Sequence, residues 1–176
     1  MPEAANGSIT IKRIRAILRV LFRTNAIDDR VRAVLVESLY NQSTSPVIGP
    51  VVGICTTGTA AWLTHDSRLT AVTAVLVTVA LARIALHYLV PHRRDGNVRK
   101  LEALFEIGAF SYSAMVGMVA GVSILVDAPG PAQLLTVTNA VGYGVAVAAR
   151  NAGRPAIALG QLLLSLVPII VSLLVE

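Results

Sequence analysis

Charged residues are scarce in this chain, and cysteine is nearly absent. Lysine, arginine, aspartate and glutamate make up 14% of its residues, whereas an average soluble domain carries about 25%. From Pro46 to Glu176 the few charges lie almost only between long apolar runs, a pattern that excludes an ordinary soluble domain. The single cysteine, Cys55, excludes an internal disulfide and a metal site built from several cysteines.

The sequence also lacks a catalytic constellation. Only Asp28 and Asp29 are adjacent carboxylates, and none is paired in an apolar stretch as acid–base catalysis requires. His65, His87 and His92 fall at different depths, so they form neither a metal site nor a bis-histidine haem site. The glycines lie in apolar runs and not in a phosphate-binding loop. We therefore expect no catalytic site, metal or cofactor in this chain.

Five apolar runs dominate the second part of the sequence. A run of about 20 apolar residues matches the hydrocarbon core of a bilayer, because each helical residue adds 1.5 Å of length. The last run has only Gln161, Ser165 and Ser172 as polar side chains. The sequence thus predicts an all-α integral membrane protein with a transmembrane bundle at 46–176. Its expected spans are residues 46–64, 69–90, 107–126, 132–149 and 155–175.

The first 45 residues form a separate segment that we expect to be cytoplasmic. Ile11 to Phe22 has apolar residues at helical spacing on one face and cations on the rest. This pattern predicts a basic amphipathic helix in the membrane interface, with anionic lipid headgroups as its partners. A helix packed on another domain is the alternative. The cations concerned are Lys12, Arg13, Arg15, Arg19 and Arg23.

The net charge of +5 is distributed unevenly along the chain. Thirteen of the fifteen lysines and arginines lie in the N-terminal segment, the loop around residues 93–100 and the loop at Arg150 and Arg154. Only Arg68 lies on the other side of the predicted membrane. The positive-inside rule therefore predicts a cytoplasmic N-terminus. The same rule explains the basic charge without nucleic acid, which we do not expect as a partner.

Two stripes of small residues occur in the predicted spans. Gly49 and Gly53 form one, and Ser113, Gly117 and Gly121 form the other. Such stripes let two helix backbones approach closely. They are candidate helix-packing positions, either between two copies of the chain in a homodimer or within one copy.

Several polar residues inside the spans are candidate structural or signalling residues. Arg83 and His87 are four residues apart and share a helix face near the end of the second span. They are either snorkelling groups or a ligand or proton site. Asn139 and Gln161 fall at depths that differ by roughly 10 Å, so a direct hydrogen bond between them is not expected. Either each bonds another helix, or together with Arg150, Asn151 and Arg154 they support the loop between the fourth and fifth spans.

That loop carries a family resemblance. With Ala158 and residues 161–164 it resembles a stretch of the membrane regions of bacterial GGDEF-type diguanylate cyclases, some of which also bear an EAL domain. The cyclase motif Gly-Gly-Asp/Glu-Glu-Phe is absent from the chain. The loop residues are Arg150, Asn151, Ala152, Gly153, Arg154 and Pro155.

The resemblance implies a function for the chain without giving it a catalytic site. The chain would be the membrane-anchoring, sensory and dimerising part of a longer cyclic-di-GMP signalling protein in the bacterial inner membrane. The full-length parent would be the diguanylate cyclase. The alternative is a small free-standing membrane protein that acts as a transporter or channel subunit, or as the membrane partner of another protein.

Overall fold

The computed structural model describes residues 45–89, 98–151 and 154–175, and in this part of the chain all regular structure is helical. The described residues form five helices and contain no strand. The predicted all-α class is confirmed for these residues. The interfacial helix with Lys12, Arg13, Arg15, Arg19 and Arg23 lies outside them. The helices are α1 (Ser45–Thr64), α2 (Ser67–Leu89), α3 (Val98–Leu125), α4 (Gly130–Arg150) and α5 (Pro155–Val175).

All five helices are long and apolar enough to cross a membrane. The outward surface supports this interpretation, because large aliphatic side chains cover it. On α5, for example, Leu173 and Leu174 are 60% and 81% exposed. A water-soluble bundle would turn such side chains toward its core, whereas a bilayer solvates them. The fold is therefore consistent with a multi-pass membrane protein.

Four helices begin and end within three residues of the predicted spans, but α3 begins earlier than its span. We expected a short interfacial turn and then a span from about residue 107, whereas one helix runs from Val98. No proline or glycine interrupts residues 98–107, so nothing in the sequence stops the helix there. The apolar part of α3 is Ala103–Leu125, and its first turns carry the charges.

Helix α3 is the centre of the bundle. It packs against α2, α4 and α5, while α1 packs against α2 and α4. More than half of its apolar part is buried, against a third or less in each other helix. Tyr112, Val116, Val119 and Ala120 of α3 form the core together with α2 residues such as Leu76.

The two ends of the bundle differ in chemistry. At one end Asp66 caps α2, because its Oδ1 accepts hydrogen bonds from the backbone N–H groups of Arg68 and Leu69 at 2.8 and 3.0 Å. Asp127 lies in the turn between α3 and α4 with a φ of 46°. We call this the aspartate end. The opposite end, where α2 and α4 end and α5 begins, carries Arg83, Arg150 and Arg154, and we call it the arginine end.

Glycines allow α3 and α5 to touch through their backbones. A Cβ atom added at Gly117 would lie 2.5 Å from the Leu164 carbonyl oxygen and 2.8 Å from that of Ser165. One at Gly121 would lie 3.0 Å from the Pro168 carbonyl oxygen. The second small-residue stripe, in which Ser113 is fully buried, thus faces α5 of the same chain at both glycines.

Candidate functional site

A tyrosine pair lies in the bundle interior toward the arginine end. Tyr112 of α3 is 1% exposed, and its hydroxyl donates a hydrogen bond to the Gly49 carbonyl oxygen of α1 at 3.1 Å. The Tyr143 ring of α4 meets the Tyr112 ring edge-on, with centroids 5.0 Å apart. A Cβ atom at Gly53 would collide with the Tyr112 hydroxyl. In the first stripe, Gly53 therefore makes room for the Tyr112 side chain, and Gly49 supplies the carbonyl oxygen that accepts its hydrogen bond.

Arg83 of α2 completes this group. Its Nη1 donates a hydrogen bond to the Tyr143 hydroxyl at 3.1 Å, and its Cζ lies 5.5 Å from the centroid of the Tyr112 ring. The Tyr143 hydroxyl and the Tyr112 ring replace part of the hydration that the guanidinium loses on burial. The Arg83 side chain can therefore point toward the tyrosines. The Arg83 guanidinium thus contacts tyrosines of both α3 and α4. We call Arg83, Tyr112, Tyr143 and the Gly49 carbonyl the Arg83–tyrosine cluster; His87's side chain lies outside the described part.

A second polar contact holds the connection between α4 and α5. Asn151, 6% exposed, donates a hydrogen bond through Nδ2 to Oε1 of Gln161, which is 1% exposed, at 2.8 Å. The Arg154 backbone N–H bonds the Asn151 carbonyl at 2.8 Å, and the Arg154 carbonyl accepts from the N–H groups of Ile157 and Ala158. The C-terminal end of α4 is thus joined to α5 through Asn151. Gly153 lies outside the described residues, and Pro155 begins α5.

Two arginines of this end, Arg83 and Arg150, lie close to each other. Arg150 follows Tyr143 by seven residues, so both lie on one face of α4. It is half-buried and lies within electrostatic reach of Arg83 and Tyr143. Arg154, 9% exposed, stands at the start of α5. Positive charge is therefore concentrated beside the Arg83–tyrosine cluster.

An open groove of about 560 Å³ runs between α1 and α4. Its lining is mostly apolar, with threonines and the Tyr143 ring as exceptions. Asn139 also lines it, and its buried Nδ2 has no hydrogen-bond partner among the described residues. The groove is lined by Gly49, Val52, Thr56, Leu134, Leu135, Thr138, Asn139, Gly142, Tyr143 and Ala146.

The structure brings together some of the predicted residues and separates others. Arg83 and Arg150 share one end of the bundle, and Asn151 pairs with Gln161. Asn139 does not bond Gln161, as the depth argument predicted, and faces α1 near Gly53. In residues 45–89, 98–151 and 154–175 no group of three or more His, Cys, Asp or Glu side chains could hold a metal ion.

Sequence reasoning did not select Tyr112 and Tyr143. Both lie in apolar spans, where hydropathy treats a tyrosine as one more apolar residue. Their chemistry could have identified these two tyrosines, because a phenol hydroxyl inside a membrane span must find a hydrogen-bond partner.

No protein family, no curated protein and no solved structure matches the chain. The likeness of the Arg150–Pro155 loop to cyclase membrane regions therefore stays a prediction.

Proposed function

We propose that this chain is the membrane-anchoring sensory and signal-transmission module of a cyclic-di-GMP signalling protein, itself non-catalytic. In this proposal it crosses the bacterial inner membrane with its N-terminus and arginine end in the cytoplasm. A diguanylate cyclase would be the output of the full-length protein. The loop resemblance and the one-sided distribution of basic residues support the family and the orientation.

The observation that carries a signalling role is the Arg83–tyrosine cluster. Its contacts join four helices, since Gly49 lies on α1, Arg83 on α2, Tyr112 on α3 and Tyr143 on α4. A sensor needs two helix packings that differ by a few kcal/mol, so that a ligand can shift their populations. A hydrogen bond to a charged group contributes about 1.5–3 kcal/mol. Breaking or making the Arg83–Tyr143 bond is therefore a change of the right size, and it would act on four helices together.

A transport role is the second candidate that the sequence left open. Secondary transporters bind substrate at polar sites near the bilayer midplane, formed by interrupted helices. In the described part the five helices are continuous, and the groove between α1 and α4 is mostly apolar. These features favour the signalling role.

The experiment is a comparison of cellular cyclic-di-GMP between strains that carry the native gene and single-residue variants. Tyr143→Phe removes the acceptor of the Arg83 bond and keeps the ring. We expect it to change the cyclic-di-GMP level at least about threefold, because losing about 1.5 kcal/mol shifts a two-state equilibrium by roughly tenfold. Tyr88→Phe, at a 68% exposed tyrosine of α2, is the matched control. Equal levels in all strains, with normal protein abundance, would contradict the proposal.

A further inference from the structure

The groove and the arginine end together have the form of a lipid-binding site. The groove lining extends on α4 from Leu134 to Ala146, which is about 18 Å of helix. One leaflet of a bilayer contributes half of the hydrocarbon core, or about 15 Å. The groove is thus long enough for one extended acyl chain, and its apolar wall suits one.

The polar end of the groove lies at the arginine end. Tyr143 lines the groove and accepts the hydrogen bond from Arg83. Ala146 also lines it, and Arg150 stands one turn further on the same face of α4. Arg83 therefore contacts a residue of the groove lining, and Arg150 follows that lining on α4. A lipid bound along α4 with its headgroup at this end would have its phosphate near both arginines.

The charge balance selects an anionic headgroup. Among the residues whose side chains the structure describes, the arginine end carries three basic side chains, Arg83, Arg150 and Arg154, and one acidic side chain, Glu106. The aspartate end carries Arg68 with Asp66 and Asp127. Arginine is the preferred partner of phosphate, since its planar group donates two parallel hydrogen bonds. A zwitterionic headgroup would bring its own cation into this positive region.

We infer that the groove between α1 and α4 binds one anionic phospholipid, with an acyl chain along Gly142 and Ala146 and its phosphate between Arg83 and Arg150. The inference goes beyond the proposed signalling role and does not depend on it. It adds a specific lipid, bound at the Arg83–tyrosine cluster, to the general attraction between basic segments and anionic membranes.

The glycines of the chain offer a matched pair of groove variants. A Cβ atom at Gly142 meets no atom within 4 Å, so Gly142→Leu adds a side chain in open space within the groove. A Cβ atom at Gly58 of α1 also meets nothing within 4 Å, and Gly58 does not line the groove. Gly58→Leu is therefore a control for adding a leucine to an apolar helix.

The test is native mass spectrometry of the whole chain after incubation with vesicles of equal parts phosphatidylglycerol and phosphatidylcholine. We expect the wild type to retain one phosphatidylglycerol in preference to phosphatidylcholine. Arg83→Gln and Arg150→Gln should each weaken phosphatidylglycerol retention about tenfold, or about 1.4 kcal/mol, whereas Arg68→Gln at the aspartate end should not. Gly142→Leu should lower retention of the lipid about tenfold, and Gly58→Leu should leave it unchanged.

Each other outcome overturns the inference. Equal retention of both lipids by the wild type would show that the groove does not select an anionic headgroup. Displacement of the lipid signal by excess inorganic phosphate, with no effect of Gly142→Leu, would indicate a free-phosphate site. A change in oligomeric state with Gly142→Leu and unchanged lipid would make a second copy of the chain the occupant. If the arginine variants fail to fold, the glycine pair decides alone.

Discussion

Gly53 of α1 and Tyr112 of α3 depend on each other for space. The tyrosine hydroxyl reaches the Gly49 carbonyl only because the residue one turn later, Gly53, has no side chain. The collision of a Cβ atom with a buried ring would not be relieved by rotating a flexible chain, since both the hydroxyl and Cζ of Tyr112 are close. Position 53 therefore requires glycine.

Gly53→Ala should therefore destabilise the bundle. Overpacking a filled site costs about 1–3 kcal/mol, and we expect a loss of this size in the free energy of unfolding, measured by SDS titration in mixed micelles. Gly58→Ala is the control in the same helix, because its Cβ has no neighbour within 4 Å. If the two variants unfold alike, the contact between Gly53 and Tyr112 is not as described.

Single-residue contacts were the hardest features to predict from the sequence. The depth argument separated Asn139 from Gln161, but it did not identify the actual partner of Gln161, which is Asn151 at the end of α4. Arg83 was expected either to snorkel or to form a site with His87. Its inward direction depends on Tyr143, which comes from a helix sixty residues away in sequence. Contacts of this kind are set by how the helices pack together. The periodicity of apolar residues in the sequence does not predict that packing.

At the scale of elements, α3 and α5 form the closest backbone contact that the glycines reveal. The obstructing atoms at Gly117 are carbonyl oxygens of Leu164 and Ser165, which belong to a helix backbone and have no rotamers. A larger residue there must separate the two helices. This contact between α3 and α5 accounts for the second stripe of small residues within one copy of the chain.

Gly117→Ala should lower the free energy of unfolding by more than Gly142→Ala. We expect a difference of about 1–3 kcal/mol, because the first variant forces α3 away from α5 and the second adds a methyl group in open space. Thermal unfolding in detergent micelles measures it. The contrary result would be a Gly117 variant that is as stable as the Gly142 variant but alters self-association in a membrane two-hybrid assay. Gly117 would then pack between subunits and not between α3 and α5 of one chain.

Element positions were predictable because hydrophobicity over about 20 residues is a strong signal. Four predicted spans agree with α1, α2, α4 and α5 to within three residues at either end. The exception, α3, continues into a charged stretch, since residues 98–107 contain good helix formers and no proline or glycine. Hydropathy locates the part of a helix that lipid can surround, and helix propensity decides how far the helix continues beyond it.

At the scale of the whole molecule, the distribution of charge predicts which face of the membrane each end occupies. The aspartate end has one described arginine, and the arginine end has most of the described cations. By the positive-inside rule we expect the arginine end to face the cytoplasm.

This orientation predicts a labelling pattern for introduced cysteines. In a Cys55→Ala background, Pro129→Cys should react with a membrane-impermeant maleimide in intact cells. Ala152→Cys should react only after the cells are opened. The reverse pattern would contradict the orientation, and labelling of both positions in intact cells would contradict the five-span arrangement.

The central claim, that the chain is the membrane module of a larger signalling protein, is tested most directly by the size of the native product. An antibody against residues 1–45 would detect it in membranes of the source organism. We predict a band well above the 18.5 kDa of this chain, large enough for a cytoplasmic catalytic domain. A band at 18.5 kDa would contradict the account and indicate a free-standing membrane protein with a transport or partner role.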